Sequence, residues 1–176
     1  EGRADLGIVT TGGTLPEGLE GRGWRQDRLL VVMAEKHPLA ASASIRFDVV
    51  LDHPVVGVVE SGALALLLEE QAQRRGRPMP YRFRVAGTDA GRRLVAAGHG
   101  ISVMPEGVAL PYEVALRLRC VPLAEPWALR RLRLVTRPAE LLPAPARLLA
   151  AHLLRTEEPW GAEIERPPSA NATRAK

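Results

Sequence analysis

Three segments of the sequence place a short hydroxyl side chain directly after an apolar run, with glycine or a helix start beside it. They are Thr10-Thr11-Gly12, Ser61-Gly62-Ala63 and Thr88-Asp89-Ala90. That arrangement suits the capture of a small anion. The first turn of a helix carries backbone N–H groups with no intrahelical partner, and the helix dipole adds partial positive charge there. A serine or threonine hydroxyl contributes one more donor. Thr10, Ser61, Gly62 and Thr88 are therefore the candidate ligand-binding residues, Ser61 foremost. A plainer role fits the same hydroxyls, because Ser61 and Thr88 acting only as helix amino caps contribute about 1 kcal/mol each without any ligand.

Reactive chemistry finds less support. A nucleophilic serine needs a base within reach, and the GxSxG elbow is absent around both Ser61 and Ser102. His37, His53, His99 and His152 do not fall at metal-ligand spacing with one another or with Cys120, and no CxxC occurs. Asp48 and Asp52 lie one helical turn apart, which a solvated helix face explains. Cys120, the single cysteine, reads as a small buried hydrophobe. Gly12, Gly13, Gly18, Gly21 and Gly23 lack the spacing of a dinucleotide loop and read as turns in a loose connection. No catalytic residue, metal or cofactor is expected.

The elements that must carry these loops follow from apolar periodicity. Strands are predicted at Leu6 to Val9, Arg28 to Ala34, Val55 to Val59, Tyr81 to Val85, Ile101 to Met104, Leu116 to Leu123 and Leu132 to Thr136. Tyr81 to Val85 alternates apolar and polar residues and is expected to bury one face. A short helical or turn segment is expected from Asp48 to Asp52. Helices are predicted from Ala63 to Arg75, capped by Ser61 and closed at Gly76, and from Ala90 to Ala97, started by Thr88-Asp89 and closed at Gly98. A last helix, Ala146 to Leu154, presents Leu148, Leu149 and Leu153 as its apolar face. Strands alternating with helices imply parallel strand-helix-strand units. In open parallel sheets ligands bind beyond the carboxyl ends of strands, where all three polar loops lie.

Hydrophobic residues make up 46% of the 176 positions and aromatics only 4%, so the core must be built from Leu, Val, Ala and Ile. That composition suits a sheet covered by helices. No apolar run approaches the roughly eighteen residues of a membrane span, and no leader pattern opens the chain. A soluble, cytoplasmic protein is the expectation. The net charge is +4, but the arginines are spread along the chain with no aromatic residues interleaved, which indicates a solvated surface rather than a nucleic-acid face.

Four blocks resemble the effector-binding domain of LysR-type transcriptional regulators, in the family's order and spacing. They are Gly2 to Val9, Asp27 to Val32 running into His37-Pro38-Leu39-Ala40, Thr88-Asp89, and Val95-Ala96-Ala97-Gly98-His99-Gly100-Ile101 ending at Met104-Pro105. The similarity extends to about Leu154. It implies an α/β, type 2 periplasmic-binding-protein-like fold of two lobes joined by a double crossover, the first lobe incomplete. Residues 1–24 with 132–155 would form that partial first lobe, residues 25–131 the second, and residues 156–176 a polar tail not expected to fold.

The resemblance further implies a small organic acid or inorganic anion held between the lobes at positions matching Thr10, Ser61, Gly62 and Thr88. Its binding would bias one of two lobe arrangements, an allosteric coupling set by differential affinity. A homodimer or tetramer is expected in the full-length protein. DNA would be contacted only through a helix-turn-helix domain that has no counterpart in these residues, and no membrane partner is implied. The alternatives on the same fold are a solute-binding protein for transport and, less favoured, an enzyme such as a dehydratase.

Overall fold

The computed structural model describes residues 4–10, 14–58, 62–156 and 164–165. The chain falls into two compact units: residues 1–27 with 130–176, and residues 28–129. It passes between them twice, within strand β2 (Glu20–Ala34) and at the start of strand β7 (Leu129–Thr136).

In the first unit, β1 (Leu6–Thr10) pairs antiparallel with β7, Leu6 opposite Thr136 and Thr10 opposite Leu132, and the sheet continues from β7 to β2. Arg130 and Asp27, the residues next to the two crossings, form a bidentate ion pair, Nε donating to Oδ1 at 2.7 Å and Nη2 to Oδ2. Ile164–Glu165, in the segment read as polar tail, form strand β8 against Gly21 and Arg22 of β2.

β2 begins eight residues before the expected Arg28, taking in Gly21 and Gly23, which the sequence reading assigned to turns. Packing explains the difference. A Cβ at Gly21 would lie 3.0 Å from Leu15 Cδ1 and 3.2 Å from Arg133 Cδ, so glycine here admits neighbouring side chains against a strand rather than bending the chain.

In the second unit, β2 runs through the middle of the core. Leu29, Val31 and Met33 point into one cluster with Phe47, Val50, Val55, Ile101 and Val121, while Leu30 and Val32 point into another with Val95, Met104 and Leu118. The two-residue period of a strand thus divides one apolar run between two faces. Each such fully buried side chain contributes about 1.5–3 kcal/mol.

β5 (Ser102–Pro105) and β6 (Leu118–Pro122) both pair antiparallel with β2. The expectation of parallel units throughout is therefore corrected. Parallel pairing joins β3 (Val55–Val58) to β4 (Tyr81–Val85), with isolated parallel bridges Val55–Ile101 and Ile45–Leu123. α2 (Ala63–Gln73) and α3 (Thr88–Ala96) supply the crossover length that the parallel pairing of β3 with β4 and of Val55 with Ile101 needs. The remaining α-helices among the described residues are α1 (Phe47–Val50), α4 (Glu106–Ala109) and α5 (Ala144–Thr156).

Two further expectations are corrected by burial. β4 exposes Arg82, Phe83 and Arg84 and only half-buries Tyr81 and Val85, because among the described residues it pairs only with β3 and lies at a sheet edge. On α5 the anticipated face is wrong: Leu148 is 73% and Leu149 49% exposed, while Ala146 is 7% exposed. Leu153 and Leu154 are half-buried, and the Leu153 carbonyl accepts a hydrogen bond from Trp24 Nε1 at 3.2 Å.

Candidate functional site

Val58 of β3 pairs with Val85 of β4, so the two strands finish side by side in the second unit. The next described element after each strand is a helix: α2 starts at Ala63 with Gly62 as its amino cap, and α3 starts at Thr88 with Gly87 as its cap. Two helix amino termini are thereby launched from one end of one parallel pair. Neither has a side-chain cap hydrogen bond. Among the described residues no side chain accepts from the amides of either first turn, and glycine caps let a ligand approach the backbone closely.

The caps differ from the sequence expectation. Gly62 rather than Ser61 is at the capping position of α2, and Ser61 itself lies outside the described residues. Thr88 is the first helical residue of α3 and does not cap it; its side chain is exposed. Thr10 closes β1 in the first unit, exposed and opposite Leu132. The structure therefore brings Gly62 and Thr88 to the same end of one sheet in the second unit, and Thr10 belongs to the other unit.

Gly91, which sequence reasoning passed over, seats α3. A Cβ on it would lie 2.5 Å from Val58 Cγ2, 3.5 Å from Met104 Cε and 3.6 Å from Val85 Cγ2, so the helix rests directly on both finishing strands. The signal was available, since an interior helix glycine costs about 1 kcal/mol against alanine and usually has a packing reason. Beneath α2, by contrast, the crevice lined by Leu64, Leu68, Val56, Tyr81 and Arg84 retains about 10 Å³, room for a single water.

The charges around α3 favour an anion only weakly on the protein's own account. Asp89, in the first turn, accepts from Arg93 Nε at 2.9 Å, and that hydrogen bond holds its carboxyl below the usual range. Arg92, 5% exposed, donates to the Val108 carbonyl at 2.9 Å and lies over the Tyr112 ring at 3.7 Å, which pins α3 to α4 and to the turn that follows it. Removing the α3 dipole from its place would require breaking that buried contact.

The residues considered for reactive chemistry have other occupations. Ser102 Oγ is buried and donates to the Val56 carbonyl at 2.7 Å. Asp48 and Asp52 accept from Arg75 and Arg77 at 3.1 and 2.8 Å. The Cys120 thiol is pushed up to about 11, first by burial and then by Glu113. His37 Nδ1 accepts from the Leu39 amide at 3.3 Å, while His99 meets the Phe83 ring edge-on. Among the described residues no group of three or more metal-capable side chains forms, and no helix is long and apolar enough to cross a membrane.

Comparison with known proteins agrees with this architecture. The family model for the LysR substrate binding domain matches residues 1–158. An uncharacterized HTH-type transcriptional regulator of Escherichia coli, YbhD, is 31% identical over 115 residues, covering 65% of this chain and 36% of the relative. The chain thus spans about a third of the length of that relative. The effector-binding domain of QuiR in complex with shikimate superposes with a TM-score of 0.71 at 22% identity, over 87% of this chain and 71% of that one. The regulatory domain of CcmR from Synechocystis, in complex with 2-PG, gives 0.76 at 18% identity, over 89% and 74%. These likenesses show the fold, which is type 2 periplasmic-binding-protein-like. The matched family is a domain of transcriptional regulators and not an enzyme, and with residues 1–158 of 176 matched, the chain belongs to the LysR substrate-binding domain family.

Proposed function

We propose that this effector-binding domain senses a small anionic metabolite, with the amino ends of α2 and α3 as its principal anchor. The observation that carries the reading is the pair of glycine-capped helix starts, Gly62 and Gly87, launched from adjacent parallel strands. Such termini offer several amides and two aligned dipoles to one negative group. The binding residues proposed are Ser61, Gly62 and Thr88 in the second unit, with Thr10 of the first unit included on the family resemblance. Shikimate, a carboxylate, in the QuiR complex supports the ligand class. In the full-length regulator, working in the cytoplasm as a dimer or tetramer, effector binding would shift the equilibrium between two domain arrangements and so alter DNA contact.

A thermal-shift screen of small organic acids and inorganic anions tests this. A ligand that binds only the native state raises the melting temperature by mass action, by an amount that grows with its concentration over Kd. At least one acid is expected to give a saturable rise, reduced by Thr88→Ala and by Ser61→Ala while the unliganded melting temperatures stay close to wild type. A hit whose shift survives both substitutions would show that the anchor lies elsewhere.

A further inference from the structure

The family match ends at residue 158, yet the chain forms a further strand beyond it. β8 (Ile164–Glu165) pairs antiparallel with β2 inside the first unit, Glu165 opposite Gly21 and Ile164 opposite Arg22. This contact belongs to the C-terminal segment of the chain and not to the matched domain. An edge of β2 is thereby covered by a strand that, among the described residues, joins the sheet through two residues. Strand edges present N–H and C=O groups to any extended segment, so what covers them decides what can pair with them.

Charge and proline placement define the segment that fits there. Residues 20–25 carry Arg22 and Arg25, both exposed, against the half-buried Glu20. Residues 157–165 carry Glu157, Glu158, Glu163 and Glu165 and no lysine or arginine. The strand is also bounded. Pro159 lies ahead of Ile164-Glu165 and Pro167-Pro168 close behind, and proline has no N–H to add to a ladder. Gly21 and Gly23 leave this part of β2 with few side chains to fix a register, so opposite charges are left to set it.

We propose that this stretch of β2 is a docking edge for an acidic extended segment, filled by residues 157–166 as a detachable strap, and open to the same segment of a second copy once the strap is released. The tether decides between the two occupants. Residues 157–163 join α5 to β8, and so short a linker holds the strap at an effective concentration of roughly the millimolar range, enough for a contact of few hydrogen bonds to persist. A segment from another molecule must reach a comparable concentration to compete. Strand exchange between copies is thus suppressed in dilute protein and permitted in concentrated protein. None of this rests on the effector reading of Gly62 and Thr88.

Amide hydrogen exchange on the labelled full chain tests the proposal, with a synthetic peptide of residues 157–168 as the probe. Successive N–H groups of a strand point to opposite edges, so alternate amides within residues 20–23 face β8 and the others are internal controls. Ile164→Pro is expected to speed exchange of the β8-facing amides about tenfold, leaving the controls and Leu29 to Met33 unchanged. The peptide should restore protection in that variant, and the wild-type chain should need about tenfold more of it to show an effect. Unlabelled wild-type chain, at higher concentration, should replace the peptide. A peptide carrying Glu163→Gln and Glu165→Gln should bind about threefold more weakly at low salt and no more weakly at about 0.5 M salt. The full chain with the same two glutamines gives a second reading without a proline: its β8-facing amides should exchange faster at low salt. The proposal is overturned if both variants leave those amides unchanged, if the glutamine peptide protects as well as the acidic one at low salt, or if neither peptide nor wild-type chain protects them.

Discussion

Gly91 and Gly100 show how much a missing side chain decides. A Cβ at Gly100 would lie 2.3 Å from the Pro54 carbonyl oxygen, and the residue's φ of +148° is one that L side chains rarely adopt. Gly100→Ala is expected to destabilise the protein by about 2–4 kcal/mol, read from the urea midpoint, because backbone cannot give way as a side chain can. Gly91 meets only side chains, so its clash is repairable. Gly91→Ala alone should lower the melting temperature and weaken any hit from the acid screen; adding Val58→Ala, which removes the obstructing methyl, should restore both in part.

A third residue-scale expectation concerns pH. Burial, with His53 at 5.2 Å, lowers the His37 pKa, so the fold prefers the neutral ring whose Nδ1 accepts from Leu39. The stability this contributes is complete above the unfolded value of about 6.5 and is lost as pH falls below it. Melting temperatures between pH 7.5 and 5 should therefore decline in the wild type, and less steeply in His37→Asn, which keeps an acceptor and does not titrate.

At the scale of elements, the informative case is α5. Its leucines at 148 and 149 face outward while Ala146 is buried and Ala150 half-buried. Apolar periodicity identified a helix correctly and its buried stripe incorrectly, since a stripe of small residues is what close helix-sheet packing selects. Leu148→Lys should change stability by no more than about 0.5 kcal/mol, whereas Ala146→Lys should cost several times that by denaturant titration. The same lesson holds for β2, where Gly21 and Gly23 imitate a loop. In β3, α2 and α3, by contrast, apolar runs and closing glycines agree with the observed elements, with Gly76 at φ +66° and Gly98 at φ +79° beyond the helix ends.

For the molecule as a whole, a formal charge of +4 invites a nucleic-acid reading that the ion pairs weaken. Arg74, Arg75, Arg77, Arg84, Arg93, Arg130 and Arg137 all face carboxylates within 3.1 Å. Cations already paired release few phosphate counterions on meeting DNA. These 176 residues alone are expected to give no sequence-specific gel shift at moderate salt; retention of one promoter fragment over a scrambled one would contradict this.

The amino-acid sequence by itself determined the family and the strand-helix-strand order from Val55 to Met104. These are local properties, carried by side-chain period, glycine placement and motif spacing. Only the tertiary structure decided that β2 reaches back to Glu20, that most pairing is antiparallel, that Gly62 and Gly87 cap the two helices, and that α5 buries alanines. Each of those depends on what a distant segment supplies: Arg133 and Leu15 against Gly21, Val58 beneath Gly91, Trp24 reaching the Leu153 carbonyl. A short stretch of chain specifies what it can bury, but its partner across the sheet settles which atoms are buried.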